Sequence, residues 1–251
     1  MVGSSPLASH IEALSRLLRD PPPPSELEEK LRARLRMLES RGVSWHIHSS
    51  TSMAPILAAL YGSWIPSGLR RGVKRIALIS KGHGSLAVYA LLEILGVVEP
   101  GSVERMFSTP GSPMPAHPEA RRTPLTLVST GSLGQVLSVG LGILQASRIS
   151  KESVEVAVVL GDGELDEGQV WEAVMSAAAE GARGLIAVVD RNMRQHTGPT
   201  EEVKPKEPLA EKWRAFGWDV WEVEGRAEIV AEALEEASRS PRPSVVIVRG
   251  L

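Results

Sequence analysis

The stretch that decides the fold is residues 154–192, VEVAVVLGDGELDEGQVWEAVMSAAAEGARGLIAVVDRN. An apolar run rich in valine, at 154–160, stops abruptly at a glycine turn, and a second apolar run occupies 185–189. Small residues between them, from about Gly168 to Glu180, predict a helix. A strand, a turn, a helix and a second strand in this order predict a βαβ unit of a parallel sheet.

Two polar residues follow the ends of the two predicted strands. Asp162 follows the first strand, and Asn192, thirty residues later, follows the second. Ligands of such sheets bind outside the carboxyl ends of the strands, so one helical crossover should bring these side chains together. A carboxylate, an amide oxygen and a backbone carbonyl suit Mg²⁺ and leave positions for phosphate oxygens. The sequence therefore predicts a Mg²⁺-diphosphate clamp.

Composition excludes several classes of protein. The chain has 251 residues, 43% of them hydrophobic, which is enough for one α/β domain. A net charge of −2 gives no indication of nucleic-acid binding, and the absence of cysteine excludes disulfides and thiolate chemistry. No apolar run is long enough to span a membrane, and residues 1–10 do not resemble a secretory signal. We expect a cytoplasmic protein without nucleic-acid or membrane partners.

The rest of the chain repeats the alternation of strands and helices. Further strands are predicted at 74–80, 218–223 and 244–248. The expected fold class is α/β, a doubly wound three-layer sandwich with a mostly parallel sheet of about six strands. Residues 1–24, a short helix and a proline spacer, are predicted to precede a domain covering 25–251, whose first helix starts with a Ser25–Glu28 capping box.

The sequence around the clamp resembles the transketolase family, and most of all the half-length subunit of split transketolases. The residues that carry this resemblance are Gly161-Asp162-Gly163, Glu167, Asn192 and Gly198-Pro199-Thr200-Glu201-Glu202-Val203. It extends over residues 25–250. It implies a thiamine diphosphate-binding fold, thiamine diphosphate held through Mg²⁺ or Ca²⁺, and transfer of a two-carbon ketol unit between ketose and aldose phosphates in the pentose phosphate pathway.

The resemblance also implies roles for individual residues. The metal ligands would be Asp162, Asn192 and the backbone carbonyl of Arg194. The cofactor contacts would be His83, Gly131, Ser132, Leu133, Gly161, Gly163, Glu164 and Asn192. The residues that orient substrate hydroxyls and move protons near neutral pH would be His46, His83 and His117. Glu167 would lie at a subunit contact, although an acidic residue there also suits the first turn of a helix.

The resemblance further implies a partner chain. In the family, a glutamate that helps to activate the cofactor belongs to a pyrimidine-binding domain, and this sequence stops at Leu251 before any such domain. We therefore expect the partner to be a carboxy-terminal transketolase subunit, in a dimer or heterotetramer, with sugar phosphates as substrates.

Two alternatives remain open. One is that the chain belongs to another thiamine diphosphate enzyme, similar to deoxyxylulose phosphate synthase; the DRN…GPTEEV pattern argues more strongly against a 2-oxo acid dehydrogenase component. The other is a non-catalytic remnant of the fold. It is motivated by Trp45, Ile47 and Val136, which stand where the family has other residues.

Overall fold

The computed structural model describes residues 6–250. Its strands are β1 (Lys74–Ile79), β2 (Val154–Gly161), β3 (Leu185–Arg191), β4 (Arg194–Gln195), β5 (Gly198–Pro199), β6 (Asp219–Glu224) and β7 (Ser244–Arg249). Five of them form one parallel sheet in the order β1-β2-β3-β7-β6, and β4 and β5 pair as a small antiparallel hairpin.

The helices surround this sheet. They are α1 (Pro6–Leu17), α2 (Pro24–Ser40), α3 (Ile47–Ala59), α4 (Ile65–Arg70), α5 (Ser85–Ile94), α6 (Ser102–Met106), α7 (Val136–Ser150), α8 (Gly168–Ala179), α9 (Thr200–Val203), α10 (Leu209–Ala215) and α11 (Ala227–Ala237). A single π-helical turn at Leu60–Trp64 joins α3 to α4.

Two apolar cores hold the three layers together. Side chains of a strand alternate between the two faces of the sheet, so Ala157 and Val159 lie in one core while Val156 and Val158 lie in the other. The first core is completed by α2, α3, α5 and α11, and the second by α7, α8 and α10. The predicted α/β three-layer sandwich with a parallel sheet is confirmed.

Two details of the prediction were wrong. The central sheet has five strands within residues 6–250, instead of about six. Helix α2 begins at Pro24, one residue before Ser25, because proline suits the first helical turn, and no side chain caps this helix. Glu28 accepts a hydrogen bond from the backbone N–H of Ala227 (2.8 Å) and makes no capping box.

Two further expectations concern the domain boundary near residue 24 and the absence of a membrane-spanning segment. The proposed boundary between 1–24 and 25–251 stays a prediction; Leu14 and Leu18 pack in the same core as α2. Residues 1–5 and Leu251, which belong to these two segments, lie outside the described residues. Between residues 6 and 250, every helix is too short or too polar to cross a bilayer.

Candidate functional site

A cavity of about 520 Å³ lies at the carboxyl ends of β1, β2 and β3. Its size is typical of small-molecule sites. The residues that line it are His46, His48, Ser49, Lys81, His83, His117, Gly131, Leu133, Gly161, Asp162, Gly163, Glu164, Arg194, Gln195, His196 and Thr197. Most of the sequence-predicted site residues therefore share one cavity, although they come from segments up to about 150 residues apart.

Asp162 is held in one orientation by three donors. Its Oδ1 accepts the N–H of Gly163 (2.9 Å), and its Oδ2 accepts Arg191 Nη1 (2.9 Å) and the N–H of Met193 (2.8 Å). A carboxylate has about four acceptor positions, so roughly one remains, on Oδ1. Burial raises the pKa of Asp162, and the Arg191 guanidinium opposes this rise. The arrangement leaves one carboxylate oxygen able to bind a cation.

Asn192 lies beside Asp162 but faces a different cavity. Gly161 pairs with Asp190 in the sheet, so the ends of β2 and β3 are adjacent as predicted. The Asn192 side chain donates to Ser52 Oγ (3.1 Å) and accepts the N–H of Arg194 (2.9 Å). It lines a neighbouring cavity of about 500 Å³. The role of Asn192 as a metal ligand beside Asp162 stays a prediction.

Glu164 ties together three of the segments that form the cavity. Its buried carboxylate accepts the N–H groups of Gly134 (2.8 Å) and Gly161 (3.1 Å) and a short hydrogen bond from the Ser80 hydroxyl. Burial raises its pKa, and these hydrogen bonds counteract the effect. Glu164 therefore fixes the ends of β1 and β2 against the turn that contains Gly131 and Leu133.

The histidines form a cluster on one wall of the cavity. The ring of His46 lies 5.5 Å from that of His83 and 6.1 Å from that of His196, measured between centroids. His117 lies close to Gly131, and its ring is 6.4 Å from that of Trp45. His46 has a left-handed φ of 42°, directly before α3 begins, and its ring lines the cavity. The three predicted histidines thus meet, despite the altered residues around His46.

Two of these histidines are kept neutral by their surroundings. Burial, assisted by the charge of Lys81, lowers the pKa of His83 to about 3. Burial also lowers the pKa of His46, and the neighbouring His196 adds to the effect. A neutral imidazole can accept a hydrogen bond from a ligand hydroxyl at pH 7.

Two further predicted residues lie outside the cavity. Ser132 is exposed and accepts a hydrogen bond from the side chain of Gln135 (3.0 Å). Glu167 is exposed at the start of α8, and its side chain packs closely against Gly134. Both residues remain near the rim, on the surface beside the turn that contains Gly131.

Two buried ion pairs were missed by the sequence reasoning. Lys81 Nζ lies 2.5 Å from Asp190 Oδ2, and Arg191 Nη1 lies 2.9 Å from Asp162 Oδ2. Lys81 could have been noticed as a cation two residues before His83. The partner of Arg191 could not have been identified, since an arginine after an apolar strand is usually solvated.

The hairpin of β4 and β5 was also missed. Its residues Arg194, Gln195, His196 and Thr197 line the cavity, and the Gln195 side chain lies against Gly163 so closely that a Cβ there would be 2.8 Å from it. The sequence gives no role for His196, because a polar loop has no periodicity from which the direction of a side chain could be inferred.

The donor set fits a metal-bound diphosphate better than a metal held by protein alone. Within residues 6–250, no group of three or more His, Asp or Glu side chains could hold a metal ion. A cation at Asp162 would need most of its ligands from elsewhere, as Mg²⁺ does when it binds through one or two protein oxygens and phosphates. Gly161 and Gly163 allow a ligand to approach the backbone here.

Comparisons with known proteins point in one direction. The family model described as "Transketolase, thiamine diphosphate binding domain" matches residues 46–251. The chain is 37% identical over 208 residues to the 6-deoxy-6-sulfo-D-fructose transketolase subunit SqwG of Clostridium sp. (strain MSTE9), covering 81% of this chain and 75% of that one. It is 36% identical over 201 residues to an apulose-4-phosphate transketolase subunit of Phocaeicola vulgatus, covering 78% and 70%.

A solved structure extends the similarity to three dimensions. The transketolase from Leishmania mexicana superposes with a TM-score of 0.76 at 27% sequence identity. The match covers 92% of this chain but 37% of that one, so the chain spans little more than a third of that enzyme's length.

Proposed function

The chain belongs to the transketolase family, of which it contains the thiamine diphosphate-binding domain, and from this premise we propose that it is the amino-terminal subunit of a split transketolase. It binds thiamine diphosphate with Mg²⁺ or Ca²⁺ and transfers a two-carbon ketol unit between ketose and aldose phosphates. The single observation that carries this proposal is the position of Asp162, which keeps one acceptor position on Oδ1 and lines the same cavity as His46, His83 and His117.

The residues of this chain divide the work. Asp162, Asn192 and the carbonyl of Arg194 would bind the metal, and Gly131, Leu133 and Gly163 would contact the diphosphate-bearing cofactor. When bound, thiamine diphosphate supplies the carbon nucleophile that accepts and releases the two-carbon unit. The neutral rings of His46 and His83 would accept hydrogen bonds from substrate hydroxyls and orient them. His46 and His117, the latter beside Gly131, would exchange protons with the substrate.

A second subunit completes the site in this proposal. Both relatives described above are named as subunits, and both align over most of their length with this chain. Glu167 and Ser132 are exposed near the rim of the cavity, and Val139 and Met175 are exposed apolar side chains on the neighbouring helices α7 and α8. This surface supports contact with a carboxy-terminal subunit that carries the pyrimidine-binding domain.

The names of the relatives indicate which substrates to assay first. One relative's name specifies a sulfonated ketose and the other a sugar phosphate, so substrates with a terminal anionic group are the ones to assay. Ordinary pentose phosphate sugars belong in the same panel. We also propose that the protein acts in the cytoplasm, because that compartment supplies sugar phosphates.

Calorimetric titration tests the proposal. Thiamine diphosphate is titrated with Mg²⁺ into this chain, alone and mixed with a candidate carboxy-terminal subunit. We expect binding that strengthens with the partner and weakens at least about tenfold in Asp162→Ala, because a metal ligand is lost. Asp166→Ala is the matched control. This acid belongs to the same turn but pairs with Lys206 (2.9 Å) and does not line the cavity.

The outcomes separate the alternatives. No binding in either setting would contradict the proposal and favour a non-catalytic remnant, for which the turned-away Asn192 is the motivating observation. Binding without ketol transfer, but with condensation of pyruvate and glyceraldehyde 3-phosphate that releases CO₂, would favour the synthase-like alternative.

A further inference from the structure

Arg191 connects the end of β3 to a segment that the proposed site does not yet explain. Its side chain is fully buried, and its guanidinium contacts four residues. Nη1 donates to Asp162 Oδ2 (2.9 Å) and to Thr200 Oγ1 (2.7 Å). Nη2 donates to Glu201 in a short hydrogen bond and to Glu207 Oε1 (3.3 Å). One side chain thus joins the carboxylate in the cavity to the segment 200–207.

The segment 200–207 is organised around the same guanidinium. The Glu201 carboxylate that Arg191 contacts also accepts the N–H groups of Lys206 (3.0 Å) and Glu207 (3.5 Å). Thr200 is buried, and its own N–H donates to the carbonyl of Met193 (3.0 Å). The Gly-Pro-Thr-Glu-Glu-Val motif therefore contains a folded anchor whose Thr200 and Glu201 side chains converge on Arg191.

The hairpin of β4 and β5 lies between the two points that Arg191 holds. The chain leaves Arg191, lines the cavity at 194–197, and returns through β5 to Thr200. Met193 also donates its N–H to Asp162 Oδ2 (2.8 Å), so the start of this loop is attached to the same carboxylate. Fixing Asp162 and Thr200 together closes the loop at its base and holds the hairpin against the cavity.

We propose that Arg191 is a positioning residue that fixes the orientation in which Asp162 Oδ1 keeps an acceptor position for the metal, and that it also holds the 194–199 hairpin beside the cavity. This inference rests on the proposed function, since it concerns how that site is held. Arg191 acts through Asp162, Thr200 and Glu201 and does not itself touch metal or cofactor. A planar fork with several donors can join three acceptors in fixed directions, whereas a lysine ammonium is a single flexible point charge.

The test uses the full chain, with the carboxy-terminal subunit if that is needed for binding. The Mg²⁺ concentration for half-saturation is measured at fixed thiamine diphosphate, and thiamine diphosphate affinity is measured again at saturating Mg²⁺. Arg191→Gln should raise the Mg²⁺ requirement at least about tenfold, the usual loss when a residue that supports a metal ligand is removed. Affinity for the cofactor at saturating Mg²⁺ should recover largely, a split that general misfolding would not produce.

Three further variants make the test specific. Arg191→Lys keeps the charge but not the fork, and it should fail as Arg191→Gln does. Glu201→Gln weakens the anchor without touching Asp162 and should give a smaller rise in the Mg²⁺ requirement, so it serves if Arg191→Gln does not fold. Arg249→Gln is the matched control, because Arg249 pairs with Glu207 (2.9 Å) at the surface and leaves the Arg191–Asp162 bond intact. It should change the Mg²⁺ requirement by less than about twofold.

Hydrogen exchange supplies a readout that needs no ligand. Without metal or cofactor, Arg191→Gln should lose protection in 193–204 while the central strands stay protected. A folded Arg191→Gln or Arg191→Lys with wild-type Mg²⁺ requirement and unchanged exchange would overturn the proposal, as would an equal effect of Arg249→Gln. A wild type that binds no Mg²⁺-thiamine diphosphate would contradict the proposed function, and the exchange comparison would then decide the role of Arg191 by itself.

Discussion

Two buried ion pairs stand on opposite sides of the same strand end, and they are built differently. Asp190 points toward α3, where it meets Lys81 Nζ at 2.5 Å. Arg191, the next residue, points to the other side, where it meets Asp162 at 2.9 Å. Consecutive residues of a strand face opposite sides of the sheet, which explains the division. The contrast lies in what each cation does besides neutralising its partner.

We call the Lys81–Asp190 pair closed, because Asp190 is the carboxylate that Lys81 contacts among the described residues. We call the Arg191–Asp162 pair open, because Arg191 contacts two further carboxylates. Besides Asp190, the hydrogen-bond partners of Lys81 Nζ among the described residues are neutral oxygens of Ser49 and Ser52, both at 3.2 Å. Arg191 has two further carboxylates within reach, Glu201 and Glu207. We infer that the first pair holds the scaffold together, and that the second is arranged so that Asp162 can take another cation without leaving Arg191 unpaired.

The largest effect should come from breaking the closed pair. Asp190→Asn leaves the Lys81 ammonium buried among neutral groups, and removal of one partner of a buried pair costs about 3–5 kcal/mol. For a chain of this size the melting temperature should fall by roughly 10 °C. Urea unfolding followed by circular dichroism measures the free energy of unfolding.

A double variant controls for loss of packing. Lys81→Met with Asp190→Asn removes both charges and should recover much of the stability lost in Asp190→Asn, because no buried charge is then unpaired. If the free energy of unfolding of Asp190→Asn lies within about 1 kcal/mol of the wild-type value, the distinction between a closed scaffold pair and an open site pair is wrong.

The second prediction concerns pH, and it sharpens the role of the Lys81 charge. The pKa of His83 is lowered from 6.5 to about 3, mainly by burial and next by Lys81. The unfolded chain therefore binds a proton that the native chain refuses, and the stability contributed by neutral His83 is present above pH 6.5 and lost as pH falls toward 3. Each pH unit in this window should cost about 1.4 kcal/mol for this one group.

The measurement compares variants, so that other groups cancel. The stability difference between wild type and His83→Asn should shrink on acidification from about pH 7 to about pH 4, and the His83 ring should not titrate between about pH 5 and 8 by NMR. Lys81→Met should raise the pKa of His83 only part of the way, since burial remains. A His83 that titrates near its ordinary pKa in the wild type would show that its ring is solvated, and the pocket charge from Lys81 would then be unimportant.

The sequence predicted the scaffold well because its signals are local. Valine-rich runs that end in glycine or in Asp-Arg-Asn are enough to place β2 and β3, and a single helical crossover makes two strands of one sheet parallel and usually neighbours. Asp162 and the strand end at Asn192 were brought together by this topology alone. The cavity location followed from the rule that ligands bind at the carboxyl ends of parallel strands.

The rest of the site depends on side-chain directions that no local pattern carries. Asn192 stays a predicted metal ligand, and the direction of its amide in this structure is set by Ser52, a residue 140 positions earlier. The partners of Arg191 lie up to 29 positions back and 16 positions ahead in the sequence. Such long-range choices among several hydrogen-bond partners are decided by packing, and a motif reports only the residues, not their directions.

The smallest effect on stability should come from the same substitution in the open pair. Asp162→Asn removes a carboxylate whose pKa burial raises. Because its pKa is higher in the native state than in the unfolded chain, this group stabilises the fold at low pH, and that stabilisation is lost as pH rises through the native pKa. The charged carboxylate therefore lowers the free energy of unfolding at pH 7. Arg191 keeps Glu201 and Glu207, and the new amide oxygen can still accept its hydrogen bond. Without metal, the free energy of unfolding of Asp162→Asn should therefore differ from that of the wild type by less than about 1 kcal/mol.

The result for Asp162→Asn is to be compared with that for Asp190→Asn, because the two substitutions make the same chemical change at neighbouring strand ends. Urea unfolding of both variants at pH 7 without Mg²⁺, and of Asp162→Asn again with Mg²⁺ and thiamine diphosphate, gives the full comparison. The wild type should gain stability from the ligands by mass action, and Asp162→Asn should gain much less. A loss of about 3 kcal/mol in metal-free Asp162→Asn would instead make both pairs structural, and Asp162 would then be a scaffold residue that also lines a cavity.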